Sequence, residues 1–246
     1  MTDLRAVEEK RKEAVAYMYS MSQIEWICKE DIDLSCVKND LIYKKGERYK
    51  GVIYNTHYGN ALPCTKATLE TFRSNLDENG VYTGGITHDD VAANHCSSTV
   101  INTYKHIGDP LTATWTMNFH PARGTGSFAV GTFRFDPSDT VSAESVARNS
   151  KDVMFESYAS LLPGDFVLSC WGKTGHTRLV ESVITVKKDD GTIDPDLSTV
   201  ICIEQTWNLK YTDRGNTTWR VFEPYTFRSL LEKDYMPLTV STLLPR

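Results

Sequence analysis

Helical spacing of apolar residues marks the beginning of the chain. Between charged positions, five apolar residues fall on one side of a helix. They are Val7, Ala14, Val15, Met18 and Met21. This pattern predicts a packing helix within an N-terminal helical segment of about residues 1–40. The stretch ATLETFRSNL, residues 67–76, predicts a second, shorter helix.

A third helix is predicted in the stretch NHCSSTVINTYKHIG, with a cysteine at its start. Four apolar residues recur at positions i, i+1, i+4 and i+7, which lines one side of a helix. They are Val100, Ile101, Tyr104 and Ile107. The helix is therefore expected to begin near Ser97, which puts Cys96 at or before its first turn. A further helical stretch is predicted for roughly residues 142–162, ended by the breaker LPGD.

The later part of the chain carries the pattern of strands. Four segments are rich in β-branched and aromatic residues, and turn-forming stretches such as DDGTIDPD and DRGN separate them. They are DFVLSCW, HTRLVESVITVKK, TVICIEQTW and WRVFEPYTF. Helices followed by consecutive strands indicate an α+β fold with an antiparallel sheet. We expect one domain over residues 1–246, with an insertion at about 108–140 in which SFAVGTFRF forms a hairpin.

Composition narrows the classes of function. Apolar residues make up 40% of the 246 residues and charged residues 24%, as in globular proteins. The net charge of −5 disfavours nucleic-acid binding, which usually needs a basic face. The sequence contains neither a secretory signal nor an apolar run long enough to span a bilayer. It therefore predicts a cytoplasmic protein that does not bind membranes, unless a non-standard route exports it.

The cysteines are scattered along the chain. They are Cys28, Cys36, Cys64, Cys96, Cys170 and Cys202. Without C-x-x-C pairs or clustered histidines, this spacing predicts free thiols and neither a zinc site nor a disulfide framework. No metal or organic cofactor is expected.

Cys96 is the candidate nucleophile, because a helix N-terminus favours the reactive thiolate. A nucleophilic thiol needs a base, and the base needs a third group to orient it. His176 begins a predicted strand, and strand alternation places Arg178 on the same side. On the next strand the same parity joins Cys202, Glu204 and Thr206. If the two strands pair, Glu204 can accept a hydrogen bond from His176.

Structural interpretations stay open for each of these residues. Cys96 could be an inert packing residue, His176 a strand-edge histidine bonded to the backbone, and Glu204 a solvent-facing carboxylate. A slip of one residue in register would give the orienting role to Gln205 instead, since every side chain would change face.

Four motifs together resemble the NlpC and CHAP groups of papain-like cysteine peptidases and amidases, which cut bacterial cell-wall peptides. In chain order they are HCSSTV, LPGDFVLS, GHTRLVES and ICIEQTW. Upstream, YKGVIYN resembles the G-x-P-Y segment of these families, with Ile53 in place of the proline. The matched motifs extend from about Gly51 to Trp207, and GHTRLVES with IEQTW is most similar to CHAP domains.

The resemblance implies a papain-like fold, in which the helix that carries the nucleophile packs on the antiparallel sheet. Cys96 would be the nucleophile, His176 the base and Glu204 the residue that orients it. Tyr54 would match a tyrosine near the oxyanion site. Gln205 and Thr206 are further candidates for oxyanion or substrate binding. In addition, CHAP domains often have Asn at the position of Thr206, and His95 replaces the usual Asp before the cysteine.

The implied reaction is amide hydrolysis through an acyl-enzyme, with a peptidoglycan-derived or related small peptide as substrate. Acyl transfer or deamidation on the same scaffold is an alternative within enzymes. A non-catalytic module that holds peptide or glycan is an alternative of another class. The oligomeric state is left open by the sequence.

Overall fold

The computed structural model describes residues 4–56, 67–172, 174–213 and 215–245. Over these residues the chain forms six α-helices, which confirms that the predicted helix at the start, the one near residue 69 and the one at Cys96 all exist. The helices are α1 (Leu4–Gln23), α2 (Leu69–Arg73), α3 (Cys96–His106), α4 (Ser142–Ala147), α5 (Lys151–Ala159) and α6 (Phe227–Glu232).

Strands in the described residues form one large sheet and three small ones. The small sheets combine β1 (Glu25–Cys28), β2 (Ile32–Asp33), β3 (Ile42–Tyr43), β4 (Arg48–Lys50), β5 (Ile53–Tyr54), β6 (Val81–Tyr82) and β7 (Ala93–Asn94). The large sheet contains β8 (Ser127–Ala129), β9 (Phe166–Trp171), β10 (Thr174–Ile184), β11 (Thr199–Lys210), β12 (Thr217–Thr226) and β13 (Met236–Val240). Its order is β12-β11-β10-β9-β13-β8.

Every neighbouring pair in the large sheet is antiparallel. The predicted α+β class and the predicted strands β9 to β12 are thus confirmed. The helix α3 packs against β10 and β11, where Tyr104 donates its hydroxyl to Gly164 O at 2.8 Å. Tyr104 also packs on Phe166 of β9, with 5.8 Å between ring centroids.

The predicted N-terminal helical segment of about 1–40 is too long. Its helix α1 ends at Gln23, and β1 and β2 follow within the same segment. Along β1, Trp26 and Cys28 are buried while Glu25 is exposed, so the apolar residues alternate with the period of a strand. The helical period of the first residues therefore does not extend past Gln23.

The predicted helix of residues 142–162 is divided in two. Helix α4 ends at Ala147 with Arg148 as its C-cap, and Ser150 caps α5, since its Oγ accepts the Val153 N–H at 3.3 Å. Asn149 leaves the helical path as well, because its amide donates to Arg134 O at 2.7 Å. Side chains that bond locally to the backbone compete with helix continuation.

The predicted hairpin in SFAVGTFRF is absent from the described structure. Residues 127–129 form β8 alone, which pairs with β13 at the edge of the large sheet. Gly131 follows with a φ of 65°, a left-handed conformation that turns the chain away. The segment 108–140 therefore contributes a strand to the main sheet, and is not an insertion outside it.

None of the helices in the described residues is long and apolar enough to cross a membrane. The longest, α1, is instead tied to the large sheet by a buried ion pair. Arg11 Nη1 lies 2.8 Å from Asp165 Oδ1 at the start of β9, and Arg11 Nη2 donates to Leu243 O.

Candidate active site

Cys96 is the first residue of α3, with His95 as the N-cap. The N–H groups in the first turn of a helix have no partner within the helix, and they carry the positive end of the helix dipole. Ser98 tightens this turn, since its Oγ accepts the His95 N–H at 2.8 Å. The Cys96 side chain is thus placed where a negative charge on sulfur is favoured.

His176 lies near the beginning of β10, where it pairs across the sheet with Ser169 of β9. On the other side of β10, backbone pairing with β11 begins only at Leu179, opposite Ile203. Beyond that point, side-chain hydrogen bonds connect the two strands, and His176 Nε2 bonds to Glu204 Oε2. The pairing of β10 with β11 and the contact expected from parity are both present.

The Glu204 carboxylate is buried and bonded to three side chains. Besides His176, Arg178 donates its Nε to Glu204 Oε2 at 2.8 Å. Tyr225 of β12 donates its hydroxyl to Glu204 Oε1. Glu204 is only 2% exposed, so these donors replace the water that an ionised carboxylate would otherwise need.

The charges of these groups support one another. Burial disfavours the imidazolium, but the Cys96 thiolate and the Glu204 carboxylate outweigh it and raise the pKa of His176 to about 9. Burial likewise disfavours the thiolate, yet His176, with a smaller effect of His95, brings the pKa of Cys96 well below its usual value. The pKa of Glu204 falls to about 2, against the effect of burial, because His176 and Arg178 stabilise the carboxylate. These shifts favour a thiolate–imidazolium pair with an ionised glutamate at neutral pH.

Other buried cysteines have the opposite electrostatics. Burial raises the pKa of Cys28 to about 11, and it raises the pKa of both Cys170 and Cys202. Cys202 lies two residues from Glu204 on the same strand, so proximity to the site does not by itself activate a thiol. Contact with His176 distinguishes Cys96.

Tyr54 lies beside the chain that enters α3. The short strands β5 and β7 are parallel and pair Tyr54 with Asn94, two residues before Cys96. The backbone is held there by Asn55 N–H, which donates to Asn94 O at 2.8 Å. The role of Tyr54 near the oxyanion site stays a prediction.

Gly51 allows the segment that carries Tyr54 to approach the large sheet. Gly51 has a φ of +85°, and a Cβ there would lie 2.2 Å from the Trp219 side chain. Next to it, Val52 O accepts both Trp219 Nε1 at 3.1 Å and Gln205 Nε2 at 2.7 Å. The glycine of YKGVIYN is therefore required by a close backbone approach.

Gln205 is not the partner of His176. Its amide bonds to Val52 O, on the opposite face of β11 from Glu204, which decides the register in favour of Glu204. The Gln205 Oε1 is buried and has no hydrogen-bond partner in the described structure. Thr206 also bonds within the sheet, where its Oγ1 donates to Thr218 O at 3.3 Å. The described hydrogen bonds of both side chains thus go to the backbone and to Thr218, away from the triad.

Four residues at the site were not singled out from the sequence. Thr116 Oγ1 lies 3.9 Å from Cys96 Sγ, and the 3₁₀ turn Thr116–Phe119 packs against β9 and β10. Arg178 is stacked on Tyr225 and Tyr235. Only Arg178 could have been found, because its parity with His176 was visible. The others depend on how distant segments pack.

A cavity of about 310 Å³ has two neighbours of this cluster in its wall, but it is lined by neither Cys96, His176 nor Glu204. Ser169, the strand partner of His176, and Tyr235, which packs on Arg178, both contribute to its wall. The full lining consists of Val141, Ala143, Ser169, Cys170, Trp171, Lys233, Asp234 and Tyr235. Trp171 lies at the rim of the cavity, and 55% of its surface is exposed. Small molecules and peptide side chains bind in concave sites of this kind.

The described ranges contain no group of three or more His, Cys, Asp or Glu side chains that could hold a metal ion. Comparison of the chain with protein-family models, curated proteins and solved structures found no match. The residues and their geometry are therefore the basis for proposing a function.

Proposed function

We propose that the protein is a cysteine hydrolase that cleaves amide bonds through an acyl-enzyme. The observation that carries the proposal is the convergence of Cys96, His176 and Glu204, three side chains distant in sequence: His176 bonds to Glu204, and the pKa of Cys96 is lowered by His176. A nucleophile, a base and an orienting carboxylate are the parts that this chemistry requires.

In the proposed reaction, the Cys96 thiolate attacks the carbonyl carbon and breaks the C=O π bond, whose electrons pass to oxygen. The Cys96 N–H, at the helix N-terminus, is placed to stabilise that oxyanion, a contribution of about 3 kcal/mol for a preorganised donor. His176 then gives its proton to the leaving amine. Since His176 Nε2 is bonded to Glu204, Nδ1 is the ring nitrogen left for this transfer. Water, deprotonated by His176, hydrolyses the thioester.

A papain-like fold and a peptide substrate derived from peptidoglycan are the finer part of the proposal. Support comes from the motif order HCSSTV, LPGDFVLS, GHTRLVES and ICIEQTW, and from the packing of α3 on β10 and β11.

The test is incubation of the purified protein with defined muropeptides, followed by mass spectrometry. Hydrolysis products with the wild type, and none with Cys96→Ala, are the expected result. A thioester adduct on Cys96, trapped by acid quenching, would identify the intermediate.

Parallel reactions with and without an added amine separate hydrolysis from acyl transfer. Products that form only with the amine would replace the hydrolase by a transferase. Binding of muropeptides without any turnover, and with equal affinity for Cys96→Ala, would favour a non-catalytic module instead.

A further inference from the structure

Arg178 is a second cation on the Glu204 carboxylate. Its Nε donates to Glu204 Oε2 at 2.8 Å, the same oxygen that bonds to His176 Nε2. His176 and Arg178 are two residues apart on β10, so strand alternation directs both to one side. One carboxylate oxygen is thus shared between an imidazolium and a guanidinium.

Two tyrosine rings enclose the Arg178 guanidinium. Its central carbon lies 3.9 Å from the centroid of Tyr225 and 4.3 Å from that of Tyr235. Stacking on aromatic faces suits the planar guanidinium and restricts its motion. Because Tyr225 also bonds to Glu204 Oε1, the same ring holds both the arginine and the carboxylate. The contacts fix Glu204 at both oxygens.

Sharing the carboxylate has a consequence for the proton on His176. A buried glutamate with the imidazolium as its sole cationic partner would stabilise that proton strongly. A general acid is most effective when its pKa lies near the working pH, so excessive stabilisation would slow transfer to a leaving amine. A neighbouring positive charge offsets part of the negative charge and limits the effect.

We propose that Arg178 is a positioning residue that aligns Glu204 with His176 and limits how tightly His176 retains its proton. The inference rests on the proposed hydrolase function. Arg178 acts through Glu204, and no contact with the substrate is assigned to it.

Titratable and charged groups from several elements act on this proton. Cys96 on α3 and Glu204 on β11 act on it directly. Arg178 on β10 and Tyr225 on β12 act on Glu204, with which Arg220 on β12 and Tyr235 before β13 also interact. His95, the N-cap of α3, acts on Cys96. Removal of the Arg178 charge leaves the carboxylate less compensated and removes a repulsion, so both changes raise the pKa of His176.

The test is an NMR titration of the His176 ring in the free protein. For Arg178→Met we expect the pKa of His176 to rise by about one unit, a tenfold change in its proton equilibrium. Glu204→Gln should move it in the opposite direction. If the methionine variant does not fold, Arg178→Gln makes the same charge test, because the amide can still donate to Glu204.

Arg220 offers a matched control. It is also buried and pairs with Glu204 across β11 and β12, but its guanidinium bonds to Trp219 O at 2.9 Å and Asn208 O at 2.7 Å. Arg220→Met should therefore shift the pKa of His176 by less than half as much. Arg178→Lys keeps the charge and should leave this pKa near the wild-type value, while kcat falls because the fixed plane is lost.

A folded Arg178→Met or Arg178→Gln variant whose His176 pKa is unchanged or lower would overturn the inference. So would an equal rise in Arg220→Met. The titration needs no substrate, so it is independent of the proposed reaction. If the pKa of His176 rises in Arg178→Met but the wild type cleaves no muropeptide, the electrostatic role of Arg178 is retained and the hydrolase is rejected. If the wild type cleaves muropeptides but this pKa does not rise, only the role of Arg178 is rejected.

Discussion

Within the described part of the chain, two buried histidine networks are built from similar parts. At the candidate active site, His176 bonds to Glu204, which Arg178 also binds. In the second network, His120 Nε2 bonds to Ser145 Oγ at 3.1 Å, and Ser145 Oγ donates to Asp139 Oδ2 at 2.7 Å. Arg148 binds Asp139, with 2.7 Å from Nη2 to Oδ1. Both networks therefore join a histidine, a carboxylate and an arginine.

The protonation of the two histidines is opposite. The pKa of His176 is raised to about 9, whereas burial lowers the pKa of His120. His120 Nδ1 accepts the Ala122 N–H at 3.2 Å, so its proton lies on Nε2 and the ring is neutral. The Ser145 hydroxyl separates it from the Asp139 charge. His176, in contrast, contacts a carboxylate directly and faces a thiolate.

The difference shows that connectivity, and not the list of residue types, determines what a histidine can do. Where a serine separates the histidine from the aspartate, the histidine stays neutral. The chain of hydrogen bonds then stabilises packing between α4 and the segment before it. Direct contact with charges makes an imidazolium that can hold a thiolate. Four variants test this distinction.

The largest effect is expected from the histidines themselves. In His176→Gln, Cys96 loses the charge that stabilises its thiolate, so alkylation by iodoacetamide at pH 7 should slow by about 10- to 100-fold. The range allows for the greater nucleophilicity of a more basic thiolate. His120→Gln should react as the wild type does. Equal slowing in both variants would show that the distinction between the networks is wrong.

Glu204→Gln should lower the upper limit of the reactive pH range. The pKa of His176 in the folded protein is about 9, and the Glu204 carboxylate is one of the groups that raise it. Without this negative charge, we expect the pKa of His176 to fall by about 2 units, so the thiolate–imidazolium pair is lost at lower pH. The measurement is the pH profile of Cys96 alkylation, with mass spectrometry to identify the labelled thiol.

Asp139→Asn is the matched change in the second network, and its effect should be on stability. The substitution removes the charge of the buried Asp139 carboxylate, whose partner Arg148 is partly exposed. We therefore expect a loss of about 2 kcal/mol in the free energy of unfolding. Urea denaturation measures this. The alkylation profile of Cys96 should stay unchanged, and a shift in it would contradict the independence of the two sites.

The smallest effect is expected from His120 under mild acid. Its folded pKa lies below the ordinary value of 6.5, so the unfolded chain binds the proton more readily, and stability falls as the pH drops below that value. At pH 5.5 this amounts to at most about 1.4 kcal/mol. In His120→Gln that part of the pH dependence should vanish, as followed by urea denaturation at pH 7.5 and pH 5.5.

The candidate triad could be chosen from the sequence because strand periodicity is local. His176 and Glu204 each followed from alternation along one strand, and Cys96 from the start of one helix. Arg178 had the same parity as His176 and was equally accessible to that reasoning. What could not be foreseen was that the ladder between the strands ends before His176, and that side chains bridge the remainder.

The helix boundaries and the edge of the sheet were predicted less well. Ser150 caps a new helix within an apolar pattern that suggested one continuous helix. The strand β8 is too short to be predicted from three residues, and it is stabilised by pairing with β13 more than a hundred residues later. Propensity over a few residues is weak compared with such long-range pairing.

The sequence by itself determined the α+β class, the four strands β9 to β12, the helix behind Cys96 and the choice of three chemically matched side chains. These depend on periodicity and on residue chemistry, which act over one helix or one strand. Only the tertiary structure decided that Glu204 and not Gln205 faces His176, that Tyr225 and Arg178 complete the carboxylate's bonds, and that His120 stays neutral. Each of these depends on distances between segments far apart in the chain, and charge interactions change steeply with such distances.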